Sequence, residues 1–235
     1  MPTENEIKSI LANVTTATLT TILLKKGLRN VWIRGAMPLR PDQGRIVGRA
    51  FTLRFIPARE DLATPASWSS PISTRAAIEA MPEGCVAVVD AQGSKDAGIF
   101  GDILCARMQK RNVAALITDG VVRDLDGVLA TGLPVWCAGA AAPPSVAGLT
   151  FVAWDQPVGC GGVAIFPGDL IVIDKDGGVV IPAALADEIL DDAVEQERLE
   201  GWIMREVTEG ASLPGLYPAN AENKARYEEW KKQQV

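Results

Sequence analysis

The chain contains no histidine. That absence removes every scheme built on imidazole: no Ser-His-Asp triad, no Cys–His nucleophile, and no His/Cys zinc site. Acid–base chemistry must come from other groups. Cysteine is scarce, and Cys85, Cys105, Cys137 and Cys160 stand far apart with no CxxC pair. Each sits in apolar company and reads as a small buried thiol rather than a metal ligand. No apolar run reaches the ~20 residues needed to cross a bilayer. The amino-terminal stretch MPTENEIKSILANVTTATLTT lacks a basic segment followed by an apolar one. A cytoplasmic protein with no membrane partner is the expectation. Dense positive charge is missing too. Lys and Arg number 23 against 29 Asp and Glu, for a net charge of -6, and the richest stretch spreads six arginines from Arg34 to Arg59. Binding to nucleic acid depends on clustered cations, so it is disfavoured as the main role. A small anionic substrate remains open, because one local site can be positive on an acidic protein.

What the chain does have is apolar residues, 48% of 235, with 22% charged. This is the balance of a globular chain with length for one domain over 1–235. Apolar positions recur at helical spacing over 5–27, with Gly27 placed to end the helix. IVGRAFTLRFI (46–56) alternates as a strand, and the proline- and serine-rich 57–72 reads as a loop. STRAAIEAM predicts a helix, followed by a buried strand at 85–91, a loop punctuated by Gly93 and Gly98, a helix at 101–111 and strands at 113–118 and 133–139. The segment 150–182 turns all-β, with a hairpin marked by Asp176-Gly177-Gly178. A long acidic helix is expected from Pro182 to about residue 209. The tail, 208–235, reads as a loop and short helix holding Tyr217, Tyr227 and Trp230, packed on the domain or on a neighbouring subunit. The fold class is α/β, one domain with βαβ units and a β-rich half.

One segment concentrates the chemistry: GDILCARMQKRNVAALITDGVVRD, from Gly101 to Asp124. A helix of ten residues descends ~15 Å, and a strand over 113–118 climbs back ~18–20 Å. The two lengths nearly cancel. Asp102 at the helix start and Arg123-Asp124 after the strand are therefore predicted at one sheet edge, where open α/β sheets bind ligands. The helix N-terminus beside Gly101 presents the amides of Asp102, Ile103 and Leu104 to an anion. Adjacent side chains of extended backbone point apart, so Arg123 and Asp124 are expected to face different ligands rather than each other. Arg123 suits a carboxylate or enolate oxygen. Asp124, with no His or Cys partner, suits a hard ion such as Mg²⁺ or Mn²⁺. Plainer readings stay open: Asp102 as a first-turn acid, Arg123 and Asp124 as loop charges in a surface pair, and Asp119 as an Asx turn.

Gly101-Asp102, followed after twenty residues by Arg123-Asp124 inside TDGVVRD, resembles the signature of the RraA-like family. That family joins regulator of ribonuclease activity A with the 4-hydroxy-4-methyl-2-oxoglutarate aldolases. LPVWCAG and PVGCGGVAIFPGDLIVIDKDGGVVIP extend the resemblance over roughly 10–210. It implies a β/β/α swivelling-domain-like fold with a long C-terminal helix, assembled as trimers or hexamers with sites at subunit boundaries. It further implies a class II, metal-dependent lyase releasing pyruvate from a small anionic 2-oxo acid, with oxaloacetate decarboxylation as a side activity. Gly101, the amides at Ile103 and Leu104, and Arg123 would bind substrate, Asp102 and Arg123 would be catalytic, and Asp124 would hold Mg²⁺ or Mn²⁺. Alternatives within the resemblance are a dehydratase or isomerase on a sugar-derived 2-oxo acid, and a protein regulator of an RNA-degrading endonuclease. The sequence departs from the pattern in three places. Gly127 stands where the family often has an acid, TTATLTT lacks the family's aspartate, and Glu195, Glu197 and Glu200 are equal candidates for an acid lent to a neighbour.

Overall fold

The computed structural model describes residues 2–234. Thr3 and Thr15 open the first two helices, α1 (Glu4–Leu11) and α2 (Thr16–Lys25), each accepting the amide three residues on. The second cap breaks the single helix expected over 5–27, and the two axes differ by 109°. Short strands β1 (Trp32–Ile33) and β2 (Met37–Pro38) lead to the long β3 (Ile46–Pro57). The 57–72 loop carries one 3-10 turn, Pro65–Ser69. Next come α3 (Thr74–Ala80), β4 (Val86–Asp90), α4 (Asp102–Lys110), β5 (Ala115–Thr118), α5 (Leu125–Ala130) and β6 (Val135–Cys137). An antiparallel run of β7 (Leu149–Trp154), β8 (Leu170–Asp174) and β9 (Gly177–Ile181) precedes α6 (Leu190–Thr208) and α7 (Ala221–Lys232). No single helix among the described residues is long and apolar enough to cross a membrane.

The strands form one curled sheet in the order β1-β9-β8-β3-β4-β5-β6-β2, with β7 also on β3. β3 is the joint between two halves. Its first residues run antiparallel to β8, its middle runs parallel to β4, and its end pairs antiparallel with β7. On the parallel side, β3, β4, β5 and β6 are linked through α3, α4 and α5, as the βαβ reading expects. Every residue of β4 and β5 is buried, which is why both strands read as continuous apolar runs. Ala87 and Val89 face Ile78 of α3 and Cys105 and Met108 of α4. Val86 and Val88 face inward with Ile117, Trp136 and Ile171. A third cluster lays α1, α2 and the start of α6 over β8 and β9.

Three local expectations are corrected. The acidic helix starts at Leu190, because Pro182 is extended and a 3-10 turn at Ala183–Leu185 intervenes, its first amide held by Asp169. The hairpin turn is Lys175-Asp176, since Asp174 already pairs with Gly177. α5 was not expected: six residues interrupted by Gly127 are too few to set a helical period. In the tail, Leu216 and Tyr227 cluster with Trp202 and Ile203 on the far half of α6. As the loop-and-helix reading expects, Tyr217 lies ahead of α7, and Tyr227 and Trp230 lie in it.

Candidate active site

β4 and β5 end side by side, and their following loops carry the polar pairs. The loops stay together because they continue the parallel pairing past the strands. Gly98 bridges Val121, the Ile99 amide donates to Val121 O at 2.9 Å, and the Arg123 amide donates to Phe100 O at 2.9 Å. Ile99, Phe100, Val121 and Val122 anchor this ladder in the core. The two polar ends of the segment therefore meet. Gly101, Asp102, Ile103, Leu104, Arg123 and Asp124 all line one cavity of ≈ 280 Å³.

Arg123 and Asp124 do not point apart. Asp124 adopts a left-handed backbone, φ 53 and ψ 50, which breaks the extended alternation and swings its carboxylate beside its neighbour. Arg123 Nε donates to Asp124 Oδ2 at 3.1 Å. Both side chains are partly exposed, so the pair adds little stability, well under ~1 kcal/mol. Its effect is orientation. The two terminal guanidinium nitrogens of Arg123 and Oδ1 of Asp124 have no partner among the described residues. The absence of a side chain at Gly101 makes this arrangement possible, because a β-carbon there would collide with Asp124 Oδ2.

α4 begins at Asp102, with Gly101 as a cap that brings no side chain. Its first helical bond is Cys105 N–H to Gly101 O at 3.0 Å, which leaves the amides of residues 102–104 outside the ladder. The Ile103 amide is not open as expected, because it donates to Asp102 Oδ1 at 2.7 Å. A short acid at the first helical position folds back onto the nearest donor, so an incoming carboxylate must displace it or use the Leu104 amide. Gly127 explains one departure from the family pattern. A β-carbon there would lie 2.6 Å from Asp102 Cβ and 2.8 Å from its Oδ2, so Asp102 fills the space an acid at 127 would need.

No group of three or more His, Cys, Asp or Glu side chains able to hold a metal ion occurs among the described residues. Asp102 and Asp124 are the two carboxylates on the cavity. One or two carboxylates suit a hard ion that keeps most of its waters, as Mg²⁺ does, and do not make a dehydrated cage. The donor set therefore fits Mg²⁺ or Mn²⁺ held at Asp124. Glu195, Glu197 and Glu200 lie off this cavity in their own chain. Glu195 pairs with Lys231 at 2.8 Å, Glu197 accepts the Thr15 amide at 3.2 Å, and Glu200 accepts the Thr18 hydroxyl at 3.3 Å. The TTATLTT threonines serve these contacts, and Thr16 binds Asp174.

One buried acid, just past the end of β5, is structural. Asp119 accepts amides of Ala91 at 2.8 Å and of Gly93 and Gly161 at 3.1 Å, so it bridges three segments rather than closing a local Asx turn. Burial outweighs these donors and holds its carboxyl above the usual range. Cys105 lies in α4 but is no nucleophile, since burial pushes its thiol up to about 12. All four cysteines are buried and unpaired with one another, as expected.

Sequence reasoning missed Trp68, Thr74, Arg75 and Ser145, which complete the cavity. Arg75 lies over the Trp68 ring, 5.0 Å from its centroid. A lone tryptophan in a proline-rich polar loop was the available signal.

A family model described as RraA-like, Aldolase/RraA, matches residues 13–180. Protein DlpA of Legionella pneumophila is 29% identical over 182 residues, which cover 76% of this chain and 28% of the relative. A Halalkalibacterium halodurans protein, provisionally named a 4-hydroxy-4-methyl-2-oxoglutarate aldolase, is 36% identical over 124 residues, 52% of this chain and 58% of the relative. The chain thus spans less than two thirds of either relative. The crystal structure of Streptomyces coelicolor RraAS2, described as an unusual member of the RNase ES inhibitor RraA protein family, superposes with a TM-score of 0.76 at 35% identity, covering 86% of this chain and 97% of that one. An uncharacterized protein from Pseudomonas syringae pv. tomato gives 0.77 at 26%, covering 92% and 99%.

Proposed function

This chain belongs to the RraA-like family, and on that premise we propose that it is a divalent-metal-dependent carbon–carbon lyase that releases pyruvate from a 2-oxo acid. One observation carries the reading: a guanidinium with open donors, two carboxylates with open acceptors and a helix N-terminus share one cavity. The substrate carboxylate meets the terminal nitrogens of Arg123 and the amide side of the α4 first turn, a planar fork against a planar anion. In the retro-aldol step the 4-hydroxyl gives its proton to a water at Asp102, the C3–C4 bond breaks, C4 becomes a carbonyl, and the bonding electrons pass to C3 as an enolate. Arg123 faces that negative charge, and a proton relayed through water at Asp102 returns to C3 to give pyruvate. Asp124 would hold a divalent ion, which when bound would supply positive charge to polarise the 2-oxo group. Decarboxylation of oxaloacetate passes through the same enolate and is expected as a side activity.

The test is pyruvate or carbon dioxide release from oxaloacetate with Mg²⁺ or Mn²⁺, counted above the rate of the metal ion without protein and abolished by chelator. Absence of release in either metal sinks the reading. The family resemblance further implies a trimer or hexamer, which sedimentation velocity measures directly. A second reading, inhibition of an RNA-degrading endonuclease, draws on the likeness to the Streptomyces protein. Unchanged RNA cleavage when excess protein is added to a purified endonuclease of that class removes it.

A further inference from the structure

Given a 2-oxo acid headgroup at Arg123, the geometry points to an uncharged, hydroxyl-bearing tail as the rest of the substrate, an inference that rests on the lyase reading above. A second cavity of ≈ 510 Å³ adjoins the first, and Trp68, Thr74 and Ser145 line both. Trp68 thus stands between headgroup and tail, fixed under the Arg75 guanidinium.

Charge is divided sharply across that tryptophan. Arg75 and Arg123 line the headgroup cavity, and no Lys or Arg lines the second one. Its one charged residue is Asp61, already paired with Arg59 at 2.8 Å. A second carboxylate placed there would lose water and gain no lining cation. Hydroxyls replace the missing cations. Thr64, Thr74 and Ser145 make no side-chain hydrogen bond among the described residues, while Ser73 and Thr150 accept amides and keep their O–H protons to donate. Groups that both donate and accept match substrate hydroxyls. Phe55 and Phe151, edge to face at 5.2 Å, line the same cavity and give it an apolar surface for the C–H side of such a tail. Cleavage of the C3–C4 bond would release this tail as a neutral hydroxyaldehyde, with pyruvate leaving from the Arg123 side.

Three probes test the assignment: oxaloacetate, which occupies the headgroup end; 4-hydroxy-4-methyl-2-oxoglutarate, whose tail is charged; and a 2-oxo-3-deoxyhexonate, whose tail is a neutral polyol. Pyruvate release is counted per bond cleaved, with Mn²⁺ present. The expected result is a kcat/KM at least about tenfold higher for the polyol than for the charged tail. Thr64→Arg, which puts a cation in the chamber at a side chain without internal bonds, should narrow that ratio by about tenfold. Ser145→Arg is the second variant should Thr64→Arg misfold, and the wild-type ratio decides without either. Equal or better turnover of the charged tail by the wild type, with oxaloacetate active, overturns the tail assignment and leaves the lyase reading standing. No release from any of the three overturns both.

Discussion

Four aspartates stand at one edge of the parallel strands, in two pairs with opposite fates. Asp90 and Asp119, at the ends of β4 and β5, are buried, and their oxygens accept the amides of Ala91, Gln92, Gly93, Gly159 and Gly161. Asp102 and Asp124 lie further along the same loops, border the cavity, and each keep one oxygen without a described donor. Residue type does not separate the pairs, since all four are aspartates. What separates them is how many backbone donors each meets. The saturated pair builds the loops, and the unsaturated pair is left for a ligand.

The largest effect that bears on this contrast comes from the buried pair. Asp119→Ala strands three amides and should cost about 3 kcal/mol of stability in urea unfolding. A loss within about 0.5 kcal/mol would put Asp119 among ordinary surface positions and erase the difference. On the other side, Arg123→Lys keeps charge but not the planar fork. Turnover should fall by about tenfold or more with the unfolding midpoint unchanged. Full activity in that variant contradicts the carboxylate fork.

The smallest effect is in pH. Asp119 titrates above its ordinary value in the folded protein, so between those two values the native state holds more protons than the unfolded chain. Its contribution to stability therefore falls as pH rises through that acidic window. Asp119→Asn cannot titrate, so the stability gap between wild type and this variant should narrow as pH rises there. A gap that widens instead reverses the sign and assigns the three amide donors the dominant effect.

The convergence of Gly101-Asp102 with Arg123-Asp124 was legible in the sequence, because a helix and a strand of matching length fix it whatever the side chains do. The burial of β4 and β5 was legible for a similar reason, as unbroken Val/Ile/Ala runs belong to strands covered on both faces. The Arg123–Asp124 pairing was not. It depends on one left-handed residue, and aspartate enters that region too seldom for sequence to announce it. The occupation of the Ile103 amide by Asp102 is a rotamer choice, invisible in spacing. Trp68 and Arg75 were hidden by distance, since loop 57–72 and the first turn of α3 lie far from 101–124 in sequence and meet it at the cavity. Thr15 split the first helix because a single hydroxyl cap outranked an unbroken apolar period.

The most direct test of the account is calorimetric titration of Mn²⁺ and oxalate, a planar dianion shaped like the pyruvate enolate, into wild type and Asp124→Asn. The expected result is one Mn²⁺ per wild-type chain, with each ligand tightening the other by about tenfold or more, as linkage requires of neighbouring sites. Asp124→Asn should lose the metal and the mutual enhancement while its unfolding midpoint stays put. Equal Mn²⁺ affinity in the variant, or oxalate binding that ignores the metal, would contradict the claim that Arg123 and Asp124 frame one anion-and-metal site.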